Sequence, residues 1–436
     1  MVNINLIIWI HDSIKIFNKI EYLYNLTKDS YKDILFVCNK NKTAEYYLTR
    51  GYNAVSLENE IEKKIENITN LNHMNFFELI DNIEVSTNLL VNSSYKGSFL
   101  TEGLRERIKD PISEFLVLYK YWKGLINEKN NVDILILNGM SLASMASACA
   151  CQEMKKNYIY WENGLLKDSI YLDPIGVNSY STGNFINHKS QILKKKDKNK
   201  SLNDFIQETI FISNDIKNIL VTLQVDNDTN IKCSSPFFDV DTYLIYIVEN
   251  LGFNSKNNII IRTHPKNPKV KTTILKKYPN ISISKNSIFA DDLDNADLVL
   301  TINSTTGLEA ILENKPLISF GESAYSSFLE TENIKYKNKE FIIKYFIPSI
   351  SKNKNIEDLK AFLNSHSILL TNSDEANKDI FVSQFKESNN VNKFHKKESI
   401  SFPDEKYINL KINSNIIKSK IIKLLNRIGI KLTNLN

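Results

Sequence analysis

The sequence is poor in several features, and each absence narrows its chemistry. Only 12 glycines occur among 436 residues. They make neither a Walker loop nor a dinucleotide fingerprint, so ATP- and NAD-binding readings have little support. The four cysteines, Cys38, Cys149, Cys151 and Cys233, show no zinc or CxxC spacing and read as buried, reduced thiols suited to a reducing compartment. No apolar run approaches the ~18–20 residues of a membrane-spanning helix. The start, MVNINLIIWIHDS, lacks the basic region and small-residue cleavage site of a signal peptide. A cytoplasmic protein is therefore expected, one that meets a membrane only from its surface. No DxD-type metal motif stands out, and the pair Asp291-Asp292 near a helix start reads as a cap, so neither metal nor cofactor is expected. A net charge of +5 from 55 basic and 50 acidic residues does not call for nucleic acid.

What is present points to a globular α/β chain of two or three domains, since 42% of the residues are hydrophobic and 10% aromatic. Apolar runs of strand length (residues 4–10, 34–38, 54–57, 133–138 and 157–161) alternate with helical spacing at 16–26, 44–48 and 141–155. That pattern predicts a Rossmann-like domain over residues 1–205. After the charged run KKKDKNK at 194–200, read as an exposed linker, a second series follows. Strands at 218–224, 258–262, 281–283, 298–302 and 316–320 alternate with helices at 240–250, 288–295 and 305–312, predicting a second such domain over 206–383. The expected fold is thus α/β, two Rossmann-like domains flanking a cleft. Residues 384–406 read as a polar connector. Beyond Glu405 no acidic residue occurs, and Ile412, Ile416, Ile417, Ile421, Leu424, Leu425 and Ile428 form an apolar stripe flanked by Lys418, Lys420, Lys423, Arg427 and Lys431. The tail 384–436 is therefore read as ending in a basic amphipathic helix suited to an anionic membrane interface.

Four polar clusters fall at predicted strand ends, where open α/β sheets bind ligands. LQVDNDTNI (223–231) sets Gln224, Asp226 and Asp228 at one strand mouth, where a carboxylate can attack or stabilise an anomeric carbon. RTHPK (262–266) gathers Arg262, His264 and Lys266, a group suited to a phosphate leaving group. Of the six histidines only His264 has such surroundings; His73, His188, His366 and His395 have mostly polar neighbours and read as solvated, and His11 as a surface residue. Asn303, Ser304, Thr305, Thr306 and Glu309 surround a helix start able to hold a phosphate or a ribose. WENG places Glu162 at the end of an apolar strand, a setting for an acid/base carboxylate, and DPIGVN (173–178) follows with Asn178. Taken singly, each cluster is equally a cap or a turn; their conjunction favours a site.

At these four places the chain resembles the capsular polysaccharide biosynthesis proteins of the Kps type, the retaining β-Kdo transferases. The matching stretches are ENG with DPIGVN, LQVDNDTNI, THP, and NSTTGLEAILENKPLISFGESAY (303–325), in the same order over roughly residues 130–330. The resemblance implies a two-domain GT-B-like fold and a CMP-Kdo donor. It further implies transfer with retention onto a phospholipid or Kdo-lipid primer. It makes Asp228 the nucleophile, with Asp226 the competing choice, and Glu162 the acid/base. His264 and Lys266 would bind donor carboxylate or phosphate, while Ser304, Thr305 and Glu309 would hold the cytidine nucleotide. Other capsule-assembly proteins are the further partners it implies. Two other readings stand beside it. One is a polyol-phosphate transferase with a CDP-linked donor; the other is a non-catalytic scaffold recruited to the membrane by its basic tail.

Overall fold

The computed structural model describes residues 4–10, 16–61, 111–139, 141–184, 201–207, 216–225, 228–237, 239–252, 257–267, 275, 278–336, 339–348 and 353–394. Among the described residues, fourteen strands form two seven-stranded sheets. In chain order the first sheet takes β1 (Asn5–Ile10), β2 (Asp33–Cys38), β3 (Ala54–Ser56), β4 (Val132–Leu137), β5 (Asn157–Asn163) and β6 (Ser169–Asp173). The second takes β7 (Asn218–Thr222), β8 (Asn258–Arg262), β9 (Ile281–Ile283), β10 (Leu298–Thr301), β11 (Leu317–Ser319), β12 (Glu330–Tyr336) and β13 (Lys339–Phe346). The last strand, β14 (Ser367–Leu369), returns to the first sheet and pairs antiparallel with β6. Both sheets share one order, β3-β2-β1-β4-β5 and β9-β8-β7-β10-β11, all parallel, each with two antiparallel strands added beside β5 or β11. In each, the winding direction reverses between the first and fourth strands, and the crevice opened there is where such sheets take ligands.

The strands read in the sequence follow from composition. β1 and β4 are nearly continuous Ile, Leu and Val, and both are buried along almost their whole length, as parallel strands covered on two faces must be. In β7 the faces separate: Ile219 and Val221 enter one core, Leu220 the other. Cys38, Cys149 and Cys151 are buried, and burial pushes the Cys149 thiol up to about 12, so it packs as a neutral apolar group.

Three segments differ from the sequence expectation. Residues 384–394 belong to the helix Asp374–Phe394 and are not a connector; Gln384 and Ser388 are buried and bond to the carbonyls of Ser365 and Tyr158. The helix Asn353–His366 and β14 attach to the first sheet, so the chain visits it twice. His366 is buried, not solvated: its ring stacks on Tyr171 at 6.1 Å and lies 4.4 Å from the Phe362 ring. Its sequence neighbours Ser365 and Ser367 are polar, but burial is set by these distant aromatics. The basic helix, Asp226, His11, His73, His188, His395 and the 194–200 run lie outside the described residues.

Residues 173–184 tie the two sheets together. Asp173 is wholly buried at the end of β6 and accepts from the backbone N–H groups of Ile175, Gly176 and Thr182 and from the hydroxyls of Tyr171 and Thr182, all at 2.6–3.0 Å. A carboxylate with that many donors is stable without water. It folds 173–182 into a fixed loop whose far side meets the second sheet. There Ser179 Oγ lies 2.6 Å from Ser234 Oγ, and the Asn184 amide donates to the Ser323 carbonyl at 2.8 Å. Phe362 adds an apolar link, 6.2 Å from the Tyr171 ring and 5.4 Å from Phe328. Asp173→Ala strands these buried donors and is expected to cost at least about 3 kcal/mol, read as a lower urea midpoint.

Candidate functional site

The crevice between β7 and β10 is closed by side-chain amides. β7 ends at Thr222, and Leu223 still pairs with the Arg262 carbonyl at 2.9 Å, which aims the buried Gln224 across the switch point. Its Oε1 accepts from the Asn303 N–H at 3.1 Å, and its Nε2 donates to Asn303 Oδ1 at 3.0 Å and to Asp228 Oδ2 at 3.1 Å. The other Asp228 oxygen accepts from the Asn230 N–H at 2.9 Å and caps the helix Thr229–Ser234. Beyond β10, Ser304 caps the helix Thr305–Leu312, and Thr306 Oγ1 meets Thr222 Oγ1 at 2.9 Å. Gly307 is required here, because a Cβ would sit 2.3 Å from the Tyr325 hydroxyl, which donates to the Ser304 carbonyl at 2.5 Å. Burial raises the Tyr325 pKa and keeps that hydroxyl a donor.

One strand over, Arg262 and His264 divide in role. The Arg262 guanidinium pairs with Asp292 and also donates to the Asn286 and Ser287 carbonyls, with side-chain exposures of 15% and 2% for the ion pair. Asp292 further accepts from the Ser284 hydroxyl and the Asn286 amide. Asp292 is therefore a buried counter-charge and not a helix cap, and it anchors the Arg262 guanidinium. His264 opens a tight turn in which its Nδ1 accepts from the Lys266 N–H at 3.1 Å and its carbonyl accepts from Asn267 N–H at 2.8 Å. A backbone N–H can only donate, so Nδ1 is unprotonated and the ring carries its proton on Nε2. Partial burial, followed by the Lys266 charge, lowers the His264 pKa below 6.5, and nearby Asp228 opposes this. Near neutral pH the ring is a neutral hydrogen-bond donor. Glu309 is solvent-accessible yet walled by protein, which raises its carboxyl against the opposing pull of Arg262.

On the first sheet, Glu162 at the end of β5 accepts from the Asn138 amide at 2.6 Å and from the Asn163 N–H at 2.9 Å. Asn138 and Gly139 take left-handed backbone after β4, with φ of 64° and 73°. Gly164 closes the turn to β6, where a Cβ would fall 1.8 Å from Ser169 Oγ. Lys19 braces that turn, donating to Asn163 Oδ1 at 2.6 Å and the Ser169 carbonyl at 2.8 Å, and burial lowers its pKa. Asn178 has φ of 55° in the loop that Asp173 organises. The structure thus gathers Gln224, Asp228, Asn303, Ser304 and Thr306 directly, brings His264 within electrostatic reach of Asp228, and sets Thr305, exposed, at the same helix start. Glu162 and Asn178 stand on first-sheet elements.

Sequence reasoning missed Lys19, Asn138 and Lys344. The Asn138-Gly139 dipeptide was a usable turn signal. Lys344, a buried lysine on β13, pairs with Glu322 at 3.1 Å, and the Glu322 carbonyl accepts from the Asn303 amide. Nothing local in the sequence marks that lysine.

Residues 186–333, which carry Gln224, Asp228, His264 and the Ser304 helix start, match the family described as "Capsule polysaccharide biosynthesis protein". Protein FixF of Sinorhizobium fredii is 23% identical over 256 residues, covering 55% of this chain and 58% of that protein. Capsule polysaccharide export protein KpsS of Escherichia coli is 27% identical over 117 residues, 24% of this chain and 30% of that protein. The chain thus spans less than two thirds of either relative. Among solved structures, Thermosulfurimonas dismutans KpsC, a beta Kdo 2,7 transferase, is similar at a TM-score of 0.34 and 21% identity, over 50% of this chain and 74% of that one.

Two outcomes test these assignments. Asp292→Ala leaves the Arg262 guanidinium without its counter-charge in a buried place, and a loss of about 3–5 kcal/mol in urea unfolding is expected. For His264 the folded pKa lies below the unfolded one. The unfolded state therefore takes up the proton first, and stability falls as pH drops through and below 6.5. His264→Gln removes that slope, so wild type should lose more stability than the variant between pH 7.5 and pH 5.5.

Proposed function

We propose that the chain is a glycosyltransferase of capsular polysaccharide biosynthesis that transfers Kdo from CMP-Kdo, with retention, onto a phospholipid or Kdo-lipid primer. The observation that carries this reading is Asp228: a carboxylate held on both oxygens at a topological switch point, inside the stretch of capsule-biosynthesis type. In the proposed reaction an Asp228 oxygen attacks the anomeric carbon of the donor as the bond to the CMP phosphate oxygen breaks. A glycosyl-enzyme ester forms and CMP leaves. The primer hydroxyl then attacks the same carbon, giving its proton to Glu162, and Asp228 is released as carboxylate. Two displacements restore the starting configuration. The His264 Nε2–H and the Lys266 ammonium offset charge growing on the leaving phosphate. The Ser304–Thr306 helix start and Glu309 receive the nucleotide, and no metal or cofactor enters the scheme. In this reading the basic tail holds the protein on the inner, anionic face of the cytoplasmic membrane beside other capsule-assembly proteins.

Mass spectrometry of the product from CMP-Kdo and a short-chain phosphatidylglycerol analogue tests this. One or more added Kdo residues are expected, with the product lost in Asp228→Ala at unchanged protein level. Turnover of CDP-glycerol alone would replace the Kdo reading with a polyol-phosphate transferase. Full capsule assembly by Asp228→Ala, combined with failure on deleting residues 415–436, would replace it with a scaffold.

A further inference from the structure

We infer that Gln224 and Asn303 are positioning residues that present the Asp228 carboxylate, and that neither binds a substrate. The inference rests on the reading of Asp228 as the attacking group, but its geometric part stands alone. The orientation of each amide is fixed by backbone groups whose donor or acceptor character is not in doubt. Gln224 Oε1 faces the Asn303 N–H, which can only donate, so Nε2 occupies the opposite side. The Asn303 Nδ2 faces the carbonyls of Asn230 at 2.9 Å and Glu322 at 3.1 Å, which can only accept, so Oδ1 points back at Gln224. Both N–H bonds of each amide are then spent: those of Gln224 on Asn303 Oδ1 and Asp228 Oδ2, those of Asn303 on the two carbonyls.

Exposures of 5% and 7% agree with this accounting, since neither amide keeps a donor for a ligand. What they deliver is an orientation. Gln224 comes from the end of β7 and Asn303 from the end of β10, so the relay spans the switch point and ends on one oxygen of Asp228. The other oxygen is held by the Asn230 N–H. With a donor on each oxygen, the carboxylate plane is set before any substrate arrives, the preorganisation that an in-line attack requires. Glu322, which supplies one of these carbonyls, is itself paired through its side chain with the buried Lys344.

Two measurements on the full chain separate this from a substrate-binding role. The first needs no activity: urea unfolding of wild type, Gln224→Glu, Asp228→Asn and the double variant. Gln224→Glu sets a second carboxylate against Asp228 and should lower the midpoint. Asp228→Asn supplies a donor to the introduced carboxylate and should recover at least half of that shift. An equal loss in both Asp228 backgrounds would show that Gln224 does not face Asp228 and would overturn the inference. The second is steady-state turnover of CMP-Kdo by Gln224→Met, for which kcat should fall about tenfold or more with the donor KM within about twofold of wild type. A raised KM at unchanged kcat would make Gln224 a substrate ligand instead. If wild type turns over no CMP-Kdo, the functional reading fails while the unfolding cycle still decides the contact.

Discussion

The site depends on one constraint, the need to satisfy polar groups where two parallel strands send the chain apart. β7 and β10 are neighbours, yet the winding reverses between them, so their pairing with each other ends at Thr222 and Thr301 and the chain diverges there. Buried donors and acceptors left there would each cost on the order of 1–3 kcal/mol. The chain answers with amides, neutral side chains that both donate and accept in fixed directions. Gln224 and Asn303 repair the gap, and in doing so they fix a carboxylate at its rim. Structural satisfaction and chemical presentation are accomplished by the same bonds.

That constraint also explains how charge is distributed. Arg262, the most basic group near the crevice, is neutralised by Asp292 and by carbonyls. His264 is held neutral by burial and by the Lys266 N–H on its Nδ1. Beside them stand the exposed Lys266, the Nε2–H of His264 and the donors at the Ser304 helix start. In the proposed reaction such a set stabilises charge that develops on the leaving phosphate. On the opposite sheet, Glu162 accepts from a neutral amide, that of Asn138.

The parallel core was legible because parallel strands buried on two faces leave an unbroken apolar trace, as in LIIWI, ILFV and DILIL. The antiparallel additions left little trace. β12 reads ETENIKY, mostly polar, because it is the outermost strand, and β14 is three residues long. For the same reason the return of residues 353–394 to the first sheet was invisible: its buried Asn377, Gln384 and Ser388 are polar residues that donate to Tyr22, Ser365 and Tyr158, partners no local pattern marks. Asp292 shows the limit most sharply. An acid beside a helix start looks the same whether it caps the helix or neutralises an arginine thirty positions earlier, and only the tertiary partner decides.

The DPIGVN segment shows how a recognisable motif can serve a site without belonging to its chemistry. Its aspartate is wholly buried and spends its oxygens on the loop that follows. That loop delivers Ser179 to Ser234, the last residue of the helix that Asp228 caps, and Ser234 in turn offers its carbonyl to the Glu322 N–H. Glu322 is the residue whose own carbonyl orients Asn303. A continuous path of hydrogen bonds therefore runs from the end of the first sheet, through the short capped helix, into the amide relay of the second. Each half of the molecule is wound in the same way, but this path exists only in their combination. The bonds to Asp228 itself come from the second unit, and this path couples them to the first sheet.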